Sequence, residues 1–391
     1  MLTQLHHKKN EFRLKAVLVH LMVIFQLIVL SCSNSKTNNS NFEYHLSKVD
    51  TISIFLPDTI PDINTARAWA YNQNYLSFLI KIDDITLYRY SFQEKMWDKI
   101  CISCIEDTRI EFTGIFSFIN DSIIMYNHSY KDELLLLNFN SRKLIEKYSY
   151  SPNYGLSTES PLNIYFDDTS YMIPILYNER IDDAYKSNAN LAVIINKKTK
   201  HSRYIAPFPP SFKMKKNSSL KLIIPDMIIN PSSLIMSFKG EEQLYIFSLK
   251  DSAYSTKLCK DKNVLNHHDY STTEDYMNDA LLEELTGMYK IFAYDKTDSL
   301  YYRISWAYPE YRGNKPSINK ETYNILSQWE LTVSVLDKNL EIIAQNSLND
   351  VSIVNHMLRD GKLYLRQWIS PENKINFIGF ELVPINKEST N

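Results

Sequence analysis

Five turn sites of nearly the same make-up recur along this chain, each placed directly before a short run of aliphatic and aromatic residues. Asn120-Asp121-Ser122 precedes Ile123-Ile124-Met125-Tyr126, Asp168-Thr169-Ser170 precedes Tyr171-Met172-Ile173, and Pro231-Ser232-Ser233 precedes Leu234-Ile235-Met236. Thr297-Asp298-Ser299 precedes Leu300-Tyr301-Tyr302, and Asp360-Gly361-Lys362 precedes Leu363-Tyr364-Leu365. Short polar side chains bond their own backbone in tight turns, so each site reads as a hairpin between two strands. A third strand follows every time (134–139, 191–195, 244–249, 331–336 and 375–382), and the first four units continue into a fourth, such as 143–150 or 340–346. An earlier unit fits the same plan, with strands at 68–71, 75–82, 85–92 and 97–102. Four strands repeated at roughly 40 to 65 residues cannot bury both faces alone, and stacking of such units is the pattern of propeller blades.

The expected fold is therefore all-β, a six-bladed β-propeller with four-stranded blades near 67–103, 112–151, 162–208, 226–260, 288–347 and 351–385. The last unit has three strands of its own. The run Thr51 to Leu56 has no nearby partner, so it is expected to supply the missing outer strand and close the ring, which removes exposed strand edges. Two stacked β-sandwiches are the other arrangement these strands allow. With only seven glycines and no Trp-Asp repeat, the expectation rests on periodicity alone. One short helix is expected at 272–286, where Ser271 and Glu274 form a capping box, Tyr276, Met277, Ala280, Leu281 and Leu285 follow at helical spacing, and Gly287 ends it.

Ahead of the repeats lies an export-type leader, with basic Lys8, Lys9, Arg13 and Lys15, an apolar stretch from Ala16, and Val29-Leu30-Ser31-Cys32. The 15 residues Ala16–Leu30 fall short of the roughly 20 that a spanning helix needs. This resembles a lipobox, which implies cleavage before Cys32, lipid attachment at Cys32, and a flexible polar tether beyond it. Ser33 is not the Asp that resembles an inner-membrane retention signal, and no acidic run follows, so the expected address is the outer membrane facing the periplasm, with the cell surface as the other option. The expected domains are a signal peptide at 1–31, a tether at 32–46, the propeller at 47–386 and a tail at 387–391.

Together the lipobox, the chain length and strand texture such as Asp298-Ser299-Leu300-Tyr301-Tyr302-Arg303-Ile304 resemble Bacteroidetes lipoproteins that carry a six-bladed propeller-like domain of unknown function. The resemblance implies an address and a fold, and brings no catalytic motif.

Of the 43 basic and 45 acidic residues, the leader holds four and one, leaving a net charge of −5 from Cys32 on, without the basic footprint of a nucleic-acid binder. Alternating strand direction puts the first–second and third–fourth turns on one face of the ring, and these are short. The opposite face receives the long connections, 104–111, 152–161, 178–190, 209–225, 261–287 and 307–328. Long connections on one side of a rigid scaffold are where recognition is built. They carry aromatic and cationic residues suited to sugars, peptide segments or anionic groups: Arg180, Tyr185, His268, Tyr270, Tyr308, Tyr311 and Arg312, with Trp306 and Trp368 at the same edge. Arg303 and Arg366 share an offset from their turns, which suggests pairing with a neighbouring blade.

No catalytic residue, metal site or cofactor is assigned. The acid pairs Asp83-Asp84, Asp167-Asp168 and Glu241-Glu242 occupy expected turns, and His267-His268-Asp269 lacks a third ligand at metal spacing. Cys101-Ile102-Ser103-Cys104 reads as a buried or idle pair, because along a continuing strand residues three apart point to opposite faces, and Cys259 is unassigned. The function expected is a lipid-anchored binding or interaction module for a glycan, peptide or envelope protein. The other class is an envelope hydrolase or lyase acting on carbohydrate or peptide.

Overall fold

The computed structural model describes residues 42–385 except 61–62, 64–65, 106–114, 128–132, 150–153, 156–164, 178–188, 212–224, 240, 262–287, 308–329 and 368–372. The chain divides into Met1–Phe42 and Glu43–Asn391, and every described strand lies in the second unit. The helix expected at 272–286 lies outside the described residues, and the described residues contain strands and turns without an α-helix.

The first strand, β1 (Tyr44–Phe55), is followed by six groups in chain order. Blade 1 is β2 (Arg67–Tyr71), β3 (Tyr75–Lys81), β4 (Ile85–Ser91) and β5 (Met96–Cys101), and blade 2 is β6 (Ile115–Phe118), β7 (Ile123–Asn127), β8 (Glu133–Asn138) and β9 (Lys143–Ser149). A two-residue strand β10 (Tyr154–Gly155) precedes blade 3, which comprises β11 (Tyr165–Phe166), β12 (Ser170–Pro174), β14 (Asn190–Asn196) and β15 (Ser202–Pro207). The short β13 (Leu176–Tyr177) pairs with β10 as a separate two-stranded ladder. Blade 4 is β16 (Asp226–Ile229), β17 (Ser233–Ser237), β18 (Gln243–Ser248) and β19 (Tyr254–Leu258), and blade 5 is β20 (Met288–Asp295), β21 (Leu300–Ala307), β22 (Glu330–Leu336) and β23 (Ile342–Leu348). Blade 6 is β24 (Val351–Arg359), β25 (Lys362–Gln367) and β26 (Lys374–Pro384), with β1 as its fourth strand.

Each blade is an antiparallel sheet in simple sequential order, and the six blades are arranged as a β-propeller, as the repeat predicts. Middle strands lie between two neighbouring blades and are apolar on both faces: Leu134, Leu135, Leu136 and Leu137 of β8 are all buried. Outer strands show one face to water and alternate, as in β9. The apolar contacts form six clusters, one at each junction. That between blades 6 and 1 joins Ile54, Met357, Ile375 and Phe377 to Leu76, Phe78 and Tyr90, so the ring is closed by a core as well as by a strand.

Closure is the antiparallel pairing of β1 with β26, Ile52 opposite Phe377 and Ile54 opposite Ile375. The strand begins at Tyr44 rather than Thr51, which transfers 44–46 from the expected tether to the sheet. The segment 44–50 is mostly polar because it forms the solvent edge, and its buried member, Leu46, packs into the blade 5–6 core while its N–H bonds Asn346 Oδ1 at 2.7 Å. A bulge between Lys48 and Asp50 sets Asp50 opposite Gly379, which in turn faces Tyr364. Because Gly379 has no side chain, Asp50 Oδ2 reaches over it to accept bonds from Tyr364 Oη and Lys362 Nζ, both 3.1 Å. A Cβ at 379 would lie 2.1 Å from Asp50 Oδ1 and 2.7 Å from Tyr364 Cε1.

The third–fourth turns share a device the sequence shows only faintly. Lys95, Arg142, Lys200, Ser252 and Leu340 all have φ between +52° and +60°, a left-handed geometry that glycine usually fills. The residue opening each turn accepts a backbone N–H on its side chain: Ser91 from Glu94, Asn138 from Ser141, Asn196 from Thr199, Ser248 from Asp251, and Asp337 from Asn339. These side-chain caps hold the turn where glycine is scarce.

Cys101 and Cys104 correct the sequence reading: they form a disulfide. The strand does not continue. β5 stops at Cys101, and residues 102–105 turn back, with the Ile102 N–H bonded to Ile85 O at 2.9 Å, so the two Cα atoms stand 5.3 Å apart.

Candidate functional site

Inner strands run from the face of the long connections toward the face of the tight turns. The expected ligand-binding residues Arg180, Tyr185, His268, Tyr270, Tyr308, Tyr311, Arg312 and Trp368 lie outside the described residues, and Trp306 has a described backbone only, as the partner of Met288 in β20 and of Leu331 in β22. At the junction of blades 4 and 5 the described floor of that face carries a cluster of charged side chains. There the start of β16, the β17–β18 turn, the end of β19, the start of β20 and the end of β21 meet.

At its centre is Arg303 of β21, 2% exposed. Its Nη2 donates to Glu241 O at 2.7 Å, and its Nη1 donates to Glu242 O at 3.0 Å and to Cys259 O. All three carbonyls belong to blade 4 or its exit. The guanidinium also lies 4.1 Å over the Tyr289 ring, which supplies an electron-rich face to an otherwise dry charge. Burial holds the Arg303 pKa down to about 10, partly offset by Cys259, Tyr289, Asp261 and Glu242, so the group remains a cation at neutral pH. Burial likewise pushes the Tyr289 hydroxyl upward and the Cys259 thiol up to about 11, leaving both neutral.

Around this cation three acids have assigned partners. Asp226, 2% exposed on β16, meets Lys290 Nζ of β20 at 3.3 Å, Asp261 accepts from Ser305 Oγ, and Glu242 pairs with Lys260 at 3.1 Å. A planar fork reaches three carbonyls from two chain segments with two separate nitrogens, where a lysine would bring only one. The arrangement locks two blades together and gives the face a charged, pre-ordered base.

The repeated arginine expected to pair across blades does so. Arg366 sits 5.4 Å over Trp69 of blade 1. Arg89, which the turn offset did not single out, donates to Asp121 O of blade 2 at 2.6 Å and lies 3.6 Å over Phe139. Its signal would have been its place on a middle strand flanked by apolar residues, where a cation survives only with a partner. The expected turn role of Asp167 also holds: its Oδ1 accepts the N–H groups of Thr169 and Ser170, both 2.7 Å, and hydrogen bonds led by the Thr169 hydroxyl hold its carboxyl below the usual range. On the axis side of blades 5, 6 and 1, buried His356 meets Phe292 and Tyr71 edge-on at 4.8 and 5.6 Å.

No protein-family model matches the sequence, and no curated protein matches it. Among solved structures, the chain is similar to a member of the DUF4221 family from Bacteroides vulgatus, at 14% identity and a TM-score of 0.68 over 88% of this chain and 99% of that one. That likeness shows a shared fold. A Bacteroides fragilis protein whose name calls it exported matches at 11% identity and a TM-score of 0.47, over 90% of this chain and 98% of the other. The WD40 domain of Toxoplasma gondii coronin matches at 9% and 0.40, over 89% and 88%.

Proposed function

We propose that the chain is a lipid-anchored envelope protein whose propeller presents the face of the long connections to a ligand, either a glycan, a peptide segment or an envelope protein. One observation carries this reading. Among the described residues every first–second and third–fourth connection is a tight turn, whereas all the long connections start and end on the other face, above blades joined by apolar cores and buried arginines. A rigid frame with variable connections on one side suits recognition. The aromatic and cationic residues of those connections, Tyr185, Arg180, His268, Tyr270, Tyr308, Tyr311 and Arg312 with Trp306 and Trp368, are the proposed contacts. Asp226, Asp261 and Glu242 at the floor are held by Lys290, Ser305 and Lys260, which suits a surface that holds a ligand better than one that moves protons.

Attachment through Cys32 to the outer membrane, on the periplasmic side, is part of the same proposal. Metabolic labelling with a palmitate analogue tests it: label is expected on the wild type and lost in Cys32→Ser. The binding surface is tested by a glycan array and by envelope crosslinking with the form that starts at Asn41. Tyr308→Ala and Arg312→Ala are expected to weaken capture at least tenfold. Capture insensitive to both, but lost on changing the tight-turn residues Asn120 or Asp298, would place recognition on the opposite face.

A further inference from the structure

The disulfide at the rim of blade 1 contributes little as a staple. It closes a segment of four residues whose ends are already fixed: Ile102 N–H and Ser103 N–H both bond Ile85 O, at 2.9 and 3.4 Å, and Ile85 N–H bonds Ser103 Oγ at 3.1 Å. Ile102 and Ile105 anchor the turn from inside, 0% and 7% exposed. Cross-links stabilise chiefly by the loop they close, and a loop this short, already pinned, gains little from one. Cys104 is exposed and Cys101 half-buried, so solvent and reductants reach the pair.

A third group stands beside the two sulfurs. Asp84, from the β3–β4 hairpin, is brought in by Ser103 Oγ, which donates to Asp84 Oδ1 at 3.3 Å and lies 3.5 Å from Cys101 Sγ. The two sulfurs and a carboxylate oxygen of Asp84 all lie within 4.8 Å of one another. A carboxylate next to a thiol disfavours the thiolate, the opposite of what a thiol-exchange catalyst requires. Two thiolates and a carboxylate converging on one point are, by contrast, a donor set for zinc.

We propose that Cys101, Cys104 and Asp84 form a redox-gated site for a zinc-class divalent cation, closed while the disulfide is intact and open once it is reduced. Reduction consumes one dithiol: its thiolate attacks the sulfur of Cys104, Cys101 leaves as a thiolate and takes a proton, and the second thiol of the reductant releases Cys104 and becomes part of a new disulfide. The cation then displaces the two thiol protons to solvent, binds both sulfurs and one oxygen of Asp84, and keeps a water as fourth ligand. Tetrahedral zinc with sulfurs at about 2.3 Å holds them about 3.8 Å apart, a separation that side-chain rotation supplies while the backbone stays pinned to Ile85.

Cobalt(II) reports on the site, because thiolate ligation gives a charge-transfer band in the near ultraviolet. The full chain, reduced with a phosphine and kept without oxygen, is expected to bind one equivalent with that band, and zinc is expected to displace it. The oxidised chain is expected to show no band. Asp84→Asn, an exposed turn substitution, should lower cobalt and zinc affinity at least tenfold with an unchanged fold, Cys104→Ser should abolish the band, and Cys32→Ser and Cys259→Ala should leave it intact. A reduced chain with no band, equal affinity in Asp84→Asn, or loss of the band in Cys259→Ala would each overturn the proposal.

Discussion

Replacing Gly379 by alanine puts the closing strand to a direct test. The new Cβ would fall 2.1 Å from Asp50 Oδ1 and 2.7 Å from the Tyr364 ring, so the Asp50 carboxylate must leave and its bonds to Tyr364 Oη and Lys362 Nζ are lost. Forced packing of one extra carbon costs about 1 to 3 kcal/mol, and loss of the partly exposed hydrogen bonds about 1 more. Gly379→Ala is therefore expected to destabilise by about 2 to 4 kcal/mol and Asp50→Ala by about 1 kcal/mol. In the double variant the main obstacle is gone and the bonds can be lost only once, so the pair should cost about 1 to 2 kcal/mol less than the sum of the singles. Denaturant unfolding followed by tryptophan fluorescence gives the energies, and thermolysin digestion shows whether β1 is released first. Strict additivity, or a Gly379→Ala variant as stable as wild type, would refute the idea that Asp50 locks the ring across a glycine slot.

Other outcomes follow from the same geometry. Burial raises the pKa of Tyr71, Tyr254, Tyr289 and Tyr302, so the unfolded chain loses protons from about pH 10 upward while the folded chain keeps them. Stability from these groups is fully present below pH 10 and declines above it, by about 1.4 kcal/mol per pH unit for each. Arg303, held down to about 10, acts in the opposite direction and offsets one, leaving a fall of about 4 kcal/mol per unit. Tyrosinate absorbance should thus rise together with the loss of circular dichroism, and ionisation of all 27 tyrosines in a still folded chain would contradict it. Arg303→Met should cost about 3 to 5 kcal/mol, since three buried carbonyls lose their donors, and Arg303→Lys should recover only part; a change under about 0.5 kcal/mol in urea titrations would deny the clamp. Ser252→Gly, at φ +52° in an exposed turn, should stabilise by up to about 1 kcal/mol in the same titration, and a loss of 1 kcal/mol would show that the Ser248 cap already removes the strain.

The architecture was legible because the hairpin residues and the apolar runs between them report local physics: Asn120-Asp121-Ser122 and Asp360-Gly361 must turn, and Leu134 to Leu137 must be buried on both faces. The start of β1 was hidden because only alternate residues of a solvent-edge strand are apolar, leaving Leu46 as an isolated signal. Ring closure was expected from an unpaired run and an incomplete last unit, whereas the Asp50–Gly379–Tyr364 row depends on a register that no single segment specifies. The junction of blades 4 and 5 was partly visible. The offset of Arg303 pointed to a neighbouring blade, but its acceptors are backbone carbonyls, which every residue possesses and no side chain advertises. Asp84 joined the cysteine pair through a hairpin 17 residues upstream of Cys101, a proximity created by strand pairing alone.

Pairing β1 with β26 also governs how such a chain comes to be folded. Ser53 bonds Asn376 across a separation of 323 residues, so the first strand to be synthesised waits for the last. Contacts this distant in sequence are slow to form, and until they do, the outermost blade at one end and the lone strand at the other each present open hydrogen-bonding groups. A chain cut short before β26 would therefore leave β1 without its partner, sticky at both ends and open to proteolysis. The seam thus makes maturation all-or-none: the ring becomes protease-resistant only once β26 has been made and has met β1.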